Sequence, residues 1–245
     1  MTPMRALSAT NSGRVSSGAA AARRPAHRRV LDARGLRRPI AARDAASAVW
    51  RYFETNADAV DRLYDAAGGL RHGPQLTRDL AVAVVERHRS PDVLDVGCGP
   101  GRVGEAVLDA GAASYVGIDF SPRMLELARC RLAGREHVEL VERGFLDIDL
   151  GRTFTVVLAV GLFEYLDEPA RAAAWMRAHC SSALVTSFTR WDWLKGPVRH
   201  AHYRLHGCRL RDYTEETAEA LLRGAGFSRV TFPRRGRRGF HVVAR

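Results

Sequence analysis

The chain has 245 residues, of which 46% are hydrophobic and 27% charged, enough for one globular domain with a sizeable core and an appendage. That composition excludes a collagen, a coiled coil, a disulfide-stapled miniprotein and a wholly disordered chain, and no apolar run approaches the roughly 20 residues that span a bilayer. The net charge of +11 is unevenly placed: residues 1–40 hold nine arginines against one acid, Asp32, whereas residues 41–245 carry 29 basic and 26 acidic residues. Lys195 is the sole lysine, so the arginines reflect coding bias as readily as phosphate recognition. Cys98, Cys130, Cys180 and Cys208 are scattered with no CxxC pair. This favours a reducing, cytoplasmic setting over a disulfide framework.

In chain order, residues 1–44 are rich in Ser, Ala and Arg and lack apolar periodicity, so they are expected to be disordered. Such a basic start suits a transit peptide, an arm for nucleic acid or anionic lipid, or a bland extension. No apolar stretch of the secretory kind follows Arg23–Arg24. Residues 45–90 read as a helical cap: Val49, Tyr52 and Phe53 share one face, Val60, Leu63 and Tyr64 form a second stripe, and Leu80, Val82, Val84 and Val85 close a further helix. From residue 91 short β-branched runs alternate with amphipathic stretches. Strands are predicted at 92–97, 114–119, 137–142, 155–160, 182–187, 227–232 and 239–244, and helices at 101–110, 122–133, 168–179 and 214–225. Such alternation specifies a parallel sheet covered on both faces. About six residues separate the last two strands, too few for a crossover, so those two form an antiparallel hairpin.

The sharpest local signal is VLDVGCGPGR at 93–102. A buried strand runs into Gly97, Gly99 and Gly101 and a helix begins at once, which gives a tight turn, close backbone approach and unpaired helix N–H groups. Eighteen residues after Gly101 a second strand ends in Asp119, placed to accept from ribose hydroxyls because the ends of strands one and two are neighbours. A dinucleotide fingerprint reads G-x-G-x-x-G, whereas position 102 here is Arg, and Asp95 stands two residues before the first glycine. A nicotinamide-dependent oxidoreductase is disfavoured by that spacing and by the lack of a Tyr-x-x-x-Lys pair.

The G-x-G-x-G loop, GIDFSPRMLELAR (117–129), FTVVLAVGLFEYL (154–166) and YTEETAEALLRGAGFSRV (213–230) together resemble the class I S-adenosylmethionine-dependent methyltransferases, over roughly residues 90–245. The resemblance implies an α/β fold: a doubly wound, mostly parallel seven-stranded sheet with an antiparallel C-terminal hairpin, in three α/β/α layers. It also implies S-adenosyl-L-methionine as cofactor. Asp95, Gly97, Gly99 and Gly101 would line its methionine half, Asp119 would bind the ribose, and Phe120 and Met124 would pack near the adenine. Gly161 would border the cofactor at the end of strand four. Many relatives carry an acid after strand three; here Gly144 takes that place, with Phe145 next and Asp147 displaced, so adenine is expected to be held by backbone and Phe145 stacking.

A sulfonium methyl is already an activated electrophile, so transfer needs in-line alignment at about 3 Å more than elaborate machinery. A general base is required only for a protonated, high-pKa nucleophile. Candidates for catalytic work are Glu164 and Tyr165, directly after strand four, and His206 in the 190–213 insertion, whose Trp191, Trp193, Tyr203 and Tyr213 suit an aromatic pocket. Core packing and helix capping are the competing roles for all of them. GLFEYL lacks the (N/D)-P-P-(Y/F) signature of adenine or glutamine N-methylation. No zinc site is expected from His200, His202, His206 and Cys208, because only His202 and His206 share a helical face. The arginines of PRRGRRG (233–239) lie at the cofactor edge and suit an anionic acceptor or plain solvation. The leading reading is methyl transfer to a small molecule, at oxygen in preference to nitrogen or carbon, with Tyr52, Phe53 and Tyr64 closing over the cofactor. The alternatives are RNA or protein methylation through the basic tail, which the +3 body disfavours, and cofactor binding without catalysis.

Overall fold

The structure, a computed structural model, describes residues 47–65 and 73–245; the segment 1–44 and the side chains of Leu63 and Tyr64 lie outside the described residues. Two helices, α1 (Ala48–Asp65) and α2 (Gly73–Val85), precede the first strand. The chain then alternates: β1 (Asp92–Val96), α3 (Arg102–Asp109), β2 (Ser114–Asp119), α4 (Pro122–Arg131), β3 (Val138–Glu142), β4 (Phe154–Ala159), α5 (Pro169–Ala178) and β5 (Cys180–Thr189). It finishes with α6 (Gly196–Leu205), α7 (Glu215–Gly224), β6 (Val230–Gly236) and β7 (Gly239–Ala244). The strands order as β3-β2-β1-β4-β5-β7-β6, and β7 alone runs antiparallel to its neighbours β5 and β6.

The inner strands are nearly continuous apolar runs because both faces are covered. On one face Val93, Tyr115, Val156, Leu158 and Val185 pack with Ala81, Val84 and Val85 of α2, Val107 of α3 and Leu125 of α4. On the other, Leu94, Val116, Ile118, Val157 and Leu184 meet Ala172, Ala173 and Met176 of α5 and Ala218 and Leu222 of α7. Thus α2 belongs to an outer layer of the sheet, and of the 45–90 helical segment it is α1 that reaches across the carboxyl ends of the strands. Among the described residues no helix is long and apolar enough to cross a membrane.

Three departures from the sequence reading have local causes. The strand expected at 227–232 starts three residues later, because Gly226 takes a φ of 98° and the Phe227 N–H closes onto the Leu222 carbonyl at 3.2 Å, ending α7. That strand then runs to Gly236, so the turn shrinks from PRRGRRG to Arg237–Arg238. The insertion at 190–213 contains α6, a helix whose apolar residues face outward and therefore leave no inward stripe to detect.

A glycine in α3 fixes how closely that helix approaches β2. A Cβ on Gly104 would lie 2.5 Å from Cζ of the fully buried Tyr115 ring, a contact the packed core cannot relax without shifting the helix. Gly104→Ala is expected to destabilise the fold by about 1–3 kcal/mol despite its better helix propensity, read as a lower urea midpoint with an unchanged slope.

Candidate active site at the carboxyl ends of β1, β2 and β4

The loop after β1 turns through Gly97, Gly99 and Gly101, with φ of 71°, 51° and 77°, a left-handed region that suits glycine. Gly97 and Cys98 both donate to the Ile118 carbonyl, at 2.8 and 3.0 Å. Asp119 then ties the loop down: its Oδ2 accepts from the Gly99 N–H and its Oδ1 from the Ser121 N–H, both at 2.9 Å. The Phe120 N–H also favours the charged carboxylate, and acceptor capacity is left for a further donor. Ser121 caps α4 by accepting from the Met124 N–H at 3.1 Å. Met124 packs into the floor of the loop, its sulfur 3.9 Å from where a Gly99 Cβ would stand.

Asp95 sits deeper than a ligand-lining role would suggest. It is 1% exposed, and its Oδ2 accepts from the Tyr115 hydroxyl at 2.8 Å. Burial pushes its carboxyl up to about 7, against the lowering effect of the Tyr115 bond and with a smaller push from Asp119. Burial likewise raises Asp119, to about 6, although three backbone N–H groups favour its charged form. Cys98, buried beside both acids, has its thiol raised by burial and by their charge. This cluster is a buttress beneath the loop, so Asp95 shapes the site from below.

Gly161, just past β4, has φ of 63°, donates to Ser187 Oγ at 2.9 Å, and would meet nothing within 4 Å if it carried a Cβ. Open space therefore adjoins Gly161 at the end of β4. Phe145 lies in a 3-10 turn after β3 with its ring edge against Trp175 at 5.3 Å, while Asp147 is exposed.

Helix α1 crosses this edge through a polar stripe that the sequence reading missed. Trp50 donates to the Phe120 carbonyl at 3.1 Å; Glu54 accepts from Ser121 Oγ at 2.6 Å and from the Arg123 N–H at 3.1 Å. Asp58 pairs with Arg123 at 2.7 Å, and Asp61 with Arg102 at 2.7 Å and Arg131 at 3.0 Å. The spacing Trp50, Glu54, Asp58, Asp61 repeats at four, four and three residues, a helical signal that the search for apolar faces passed over.

On the acceptor side Glu164 follows β4 in a 3-10 turn, buried, with Oε1 3.4 Å from the Arg199 guanidinium of α6. Its Oε2 is buried without a hydrogen-bond partner among the described residues. Burial raises this carboxyl, and Arg199 offsets part of the rise. Tyr165 donates to the Tyr203 hydroxyl at 3.0 Å and its ring meets Phe53 at 5.1 Å. Tyr52 bridges Tyr203 (4.8 Å) to His206 (5.3 Å), so α1 and α6 are joined by aromatic contacts. His206 is at the outer, exposed end of that chain with Nδ1 on the His202 carbonyl.

The aromatic pocket expected from the insertion is not assembled as such. Trp193 is exposed, Trp191 packs against Gly196 and His200, and Tyr213 is buried in the core on Phe188. Nor do the histidines converge: His200 pairs with Asp212 at 2.7 Å and His202 lies 3.3 Å from the Tyr52 hydroxyl. Of the hairpin arginines, Arg235 is engaged by Glu215 at 2.8 Å.

Residues 93–182 match the family model of a methyltransferase domain. Among curated proteins the chain is 38% identical over 56 residues to N-demethylindolmycin N-methyltransferase of Streptomyces griseus, covering 23% of this chain and 24% of that protein. It is 25% identical over 140 residues to malonyl-[acyl-carrier protein] O-methyltransferase of Halalkalibacterium halodurans, covering 53% and 49%. The chain thus spans from about a quarter to about half of the length of these curated relatives. Among solved structures, magnesium protoporphyrin IX methyltransferase from Synechocystis PCC 6803 with bound S-adenosylhomocysteine superposes with a TM-score of 0.61 at 19% identity, covering 80% of this chain and 96% of that one.

The buried Asp95 has a testable cost. Its carboxyl titrates near 3.8 when unfolded and about 7 when folded, so the folded state binds the extra proton and stability falls as pH rises between those values. Asp95→Asn keeps an acceptor for Tyr115 and removes the titration. Urea unfolding from pH 4 to 7 is expected to show stability falling with pH more steeply in the parent than in Asp95→Asn.

Proposed function

We propose that this chain, whose residues 93–182 match a methyltransferase domain, is a class I S-adenosylmethionine-dependent enzyme that transfers a methyl group to a small-molecule acceptor, at oxygen in preference to nitrogen or carbon. One observation carries the reading. A loop of three positive-φ glycines is tied at Gly99 to Asp119, a buried carboxylate at the end of β2 with acceptor capacity to spare, and open space adjoins Gly161 at the end of β4. Those residues fit the cofactor: Gly97, Gly99 and Gly101 admit it to the backbone, Asp119 accepts from its ribose, and Phe120, Met124 and Phe145 border the adenine. S-adenosylmethionine supplies an activated methyl electrophile when bound. The chain's part is to orient the acceptor, exclude water and take up the acceptor's proton.

Glu164 suits that last task. A hydroxyl acceptor must lose its proton as the new O–C bond forms, and a carboxylate raised by burial is a stronger base than one in water. Its unpartnered Oε2 is free to receive that proton, while Arg199 on Oε1 holds the orientation. Tyr165 and Tyr203 form an aromatic wall beside it, and α1 with Tyr52 and Phe53 closes the mouth. Free cysteines at 98, 130, 180 and 208 support a cytoplasmic setting.

Calorimetric titration tests the cofactor. S-adenosylmethionine is expected to bind and NAD not to, and Asp119→Ala to raise the dissociation constant at least about tenfold by removing a charged acceptor. A preference for NAD would overturn the reading. For the acceptor step, Glu164→Gln is expected to lower kcat and abolish the acidic limb of the pH–rate profile, whereas His206→Ala is expected to leave that profile unaltered.

A further inference from the structure

Four large apolar side chains stand out as exposed among the described residues, and all four fall within thirteen positions of the insertion: Trp193 (87%), Leu194 (70%), Val198 (72%) and Leu205 (86%). Leu194, Val198 and Leu205 are spaced at four and seven residues, and Ala201 between them is exposed too, so α6 and its lead-in present one continuous apolar stripe to solvent. Side chains this exposed have few neighbours on any side. They project from the surface instead of lining a groove. Leaving them in water is unfavourable, and the fold does nothing to cover them.

The charge around the stripe is predominantly positive. Lys195, just before α6, and Arg204, within it, flank the stripe and are exposed to solvent. The turn Arg237–Arg238 lies alongside, since the Arg190 N–H donates to the Arg238 carbonyl at 3.0 Å. The acids nearby are fewer: Asp192, which accepts from the Leu194 and Lys195 N–H groups and stays anionic beside Arg237 and Arg238, and Asp212, which pairs with His200. A cationic rim repels a second copy of the same stripe and also the arginine-rich segment 1–44. An amphipathic helix with projecting Trp and Leu between basic residues is the form that enters the headgroup region of an anionic bilayer.

We propose that α6 and its lead-in form a docking surface for an anionic phospholipid membrane, with Trp193, Leu194, Val198 and Leu205 inserting below the headgroups. This places the membrane beside the acceptor edge of the sheet, and it stands independently of the methyl-transfer reading.

The test uses the full-length protein with vesicles of phosphatidylglycerol and phosphatidylcholine, against vesicles of phosphatidylcholine alone. Partition into the anionic vesicles is expected to exceed that into neutral ones at least tenfold and to fall with added salt. Val198→Ser/Leu205→Ser is expected to lower it at least tenfold with an unchanged melting temperature. Because residues 1–44 are themselves basic, insertion is read separately, by quenching of tryptophan fluorescence with brominated lipid chains. The quenchable signal is expected to disappear in Trp193→Phe. Equal partition of parent and double variant, absence of quenching, or a self-association that the double variant abolishes would each overturn the proposal; the last would assign the stripe to a second copy of the chain.

Discussion

The site depends on one carboxylate bridging two backbone amides. Asp119 holds the Gly99 N–H with one oxygen and the Ser121 N–H with the other, locking the glycine loop of β1 to the first turn of α4. Without that bridge two buried N–H groups would lose their acceptor, and the loop would be held by backbone alone, through Gly97 and Cys98 on the Ile118 carbonyl. The bridge also sets the electrostatics. Burial raises Asp95 and Cys98, and the charge of Asp119 adds to the rise, so the ground beneath the loop is built from groups that resist ionising. Helix α1 is fastened to the same place through Glu54 on Ser121 and Arg123.

How much of this was legible in the sequence follows from range. The glycine loop, Asp119, the alternation of strands and helices and the antiparallel final pair were readable because each rests on residues adjacent in the chain. The seven-stranded sheet followed from them and from loop length. Contacts across long separations were not readable. Glu164 stood out as a candidate, yet its pairing with Arg199 and the orphaned second oxygen come from α6 folding back across 35 positions. Trp50, Glu54, Asp58 and Asp61 form a polar stripe, and a search tuned to apolar periodicity passes over one. Trp191, Trp193 and Tyr213 read alike as aromatic residues of one insertion, but the structure gives them three different environments.

The chemistry asked of such a site is modest, and the structure matches it. On the proposed reading the electrophile arrives activated, which leaves enclosure and orientation for the chain to supply. Two elements outside the core of the sheet do this: α1 over the loop and α6 over the end of β4, joined by Tyr52, Tyr203 and Tyr165. The two helices therefore pack as one aromatic assembly.

The placement of β7 carries a consequence for how the molecule is made. It is the last strand in chain order but lies inside the sheet, between β5 and β6, and it is the sole strand partner of β6. During vectorial synthesis the row of N–H and C=O groups along β5 therefore stays unpaired until residue 244 has been added. Its apolar flank, Leu184, Val185 and Phe188, is meanwhile open to any passing strand. Nascent chains of this topology pass through an adhesive interval that ends only when the hairpin folds in, and protection during that interval falls to whatever receives the chain as it emerges.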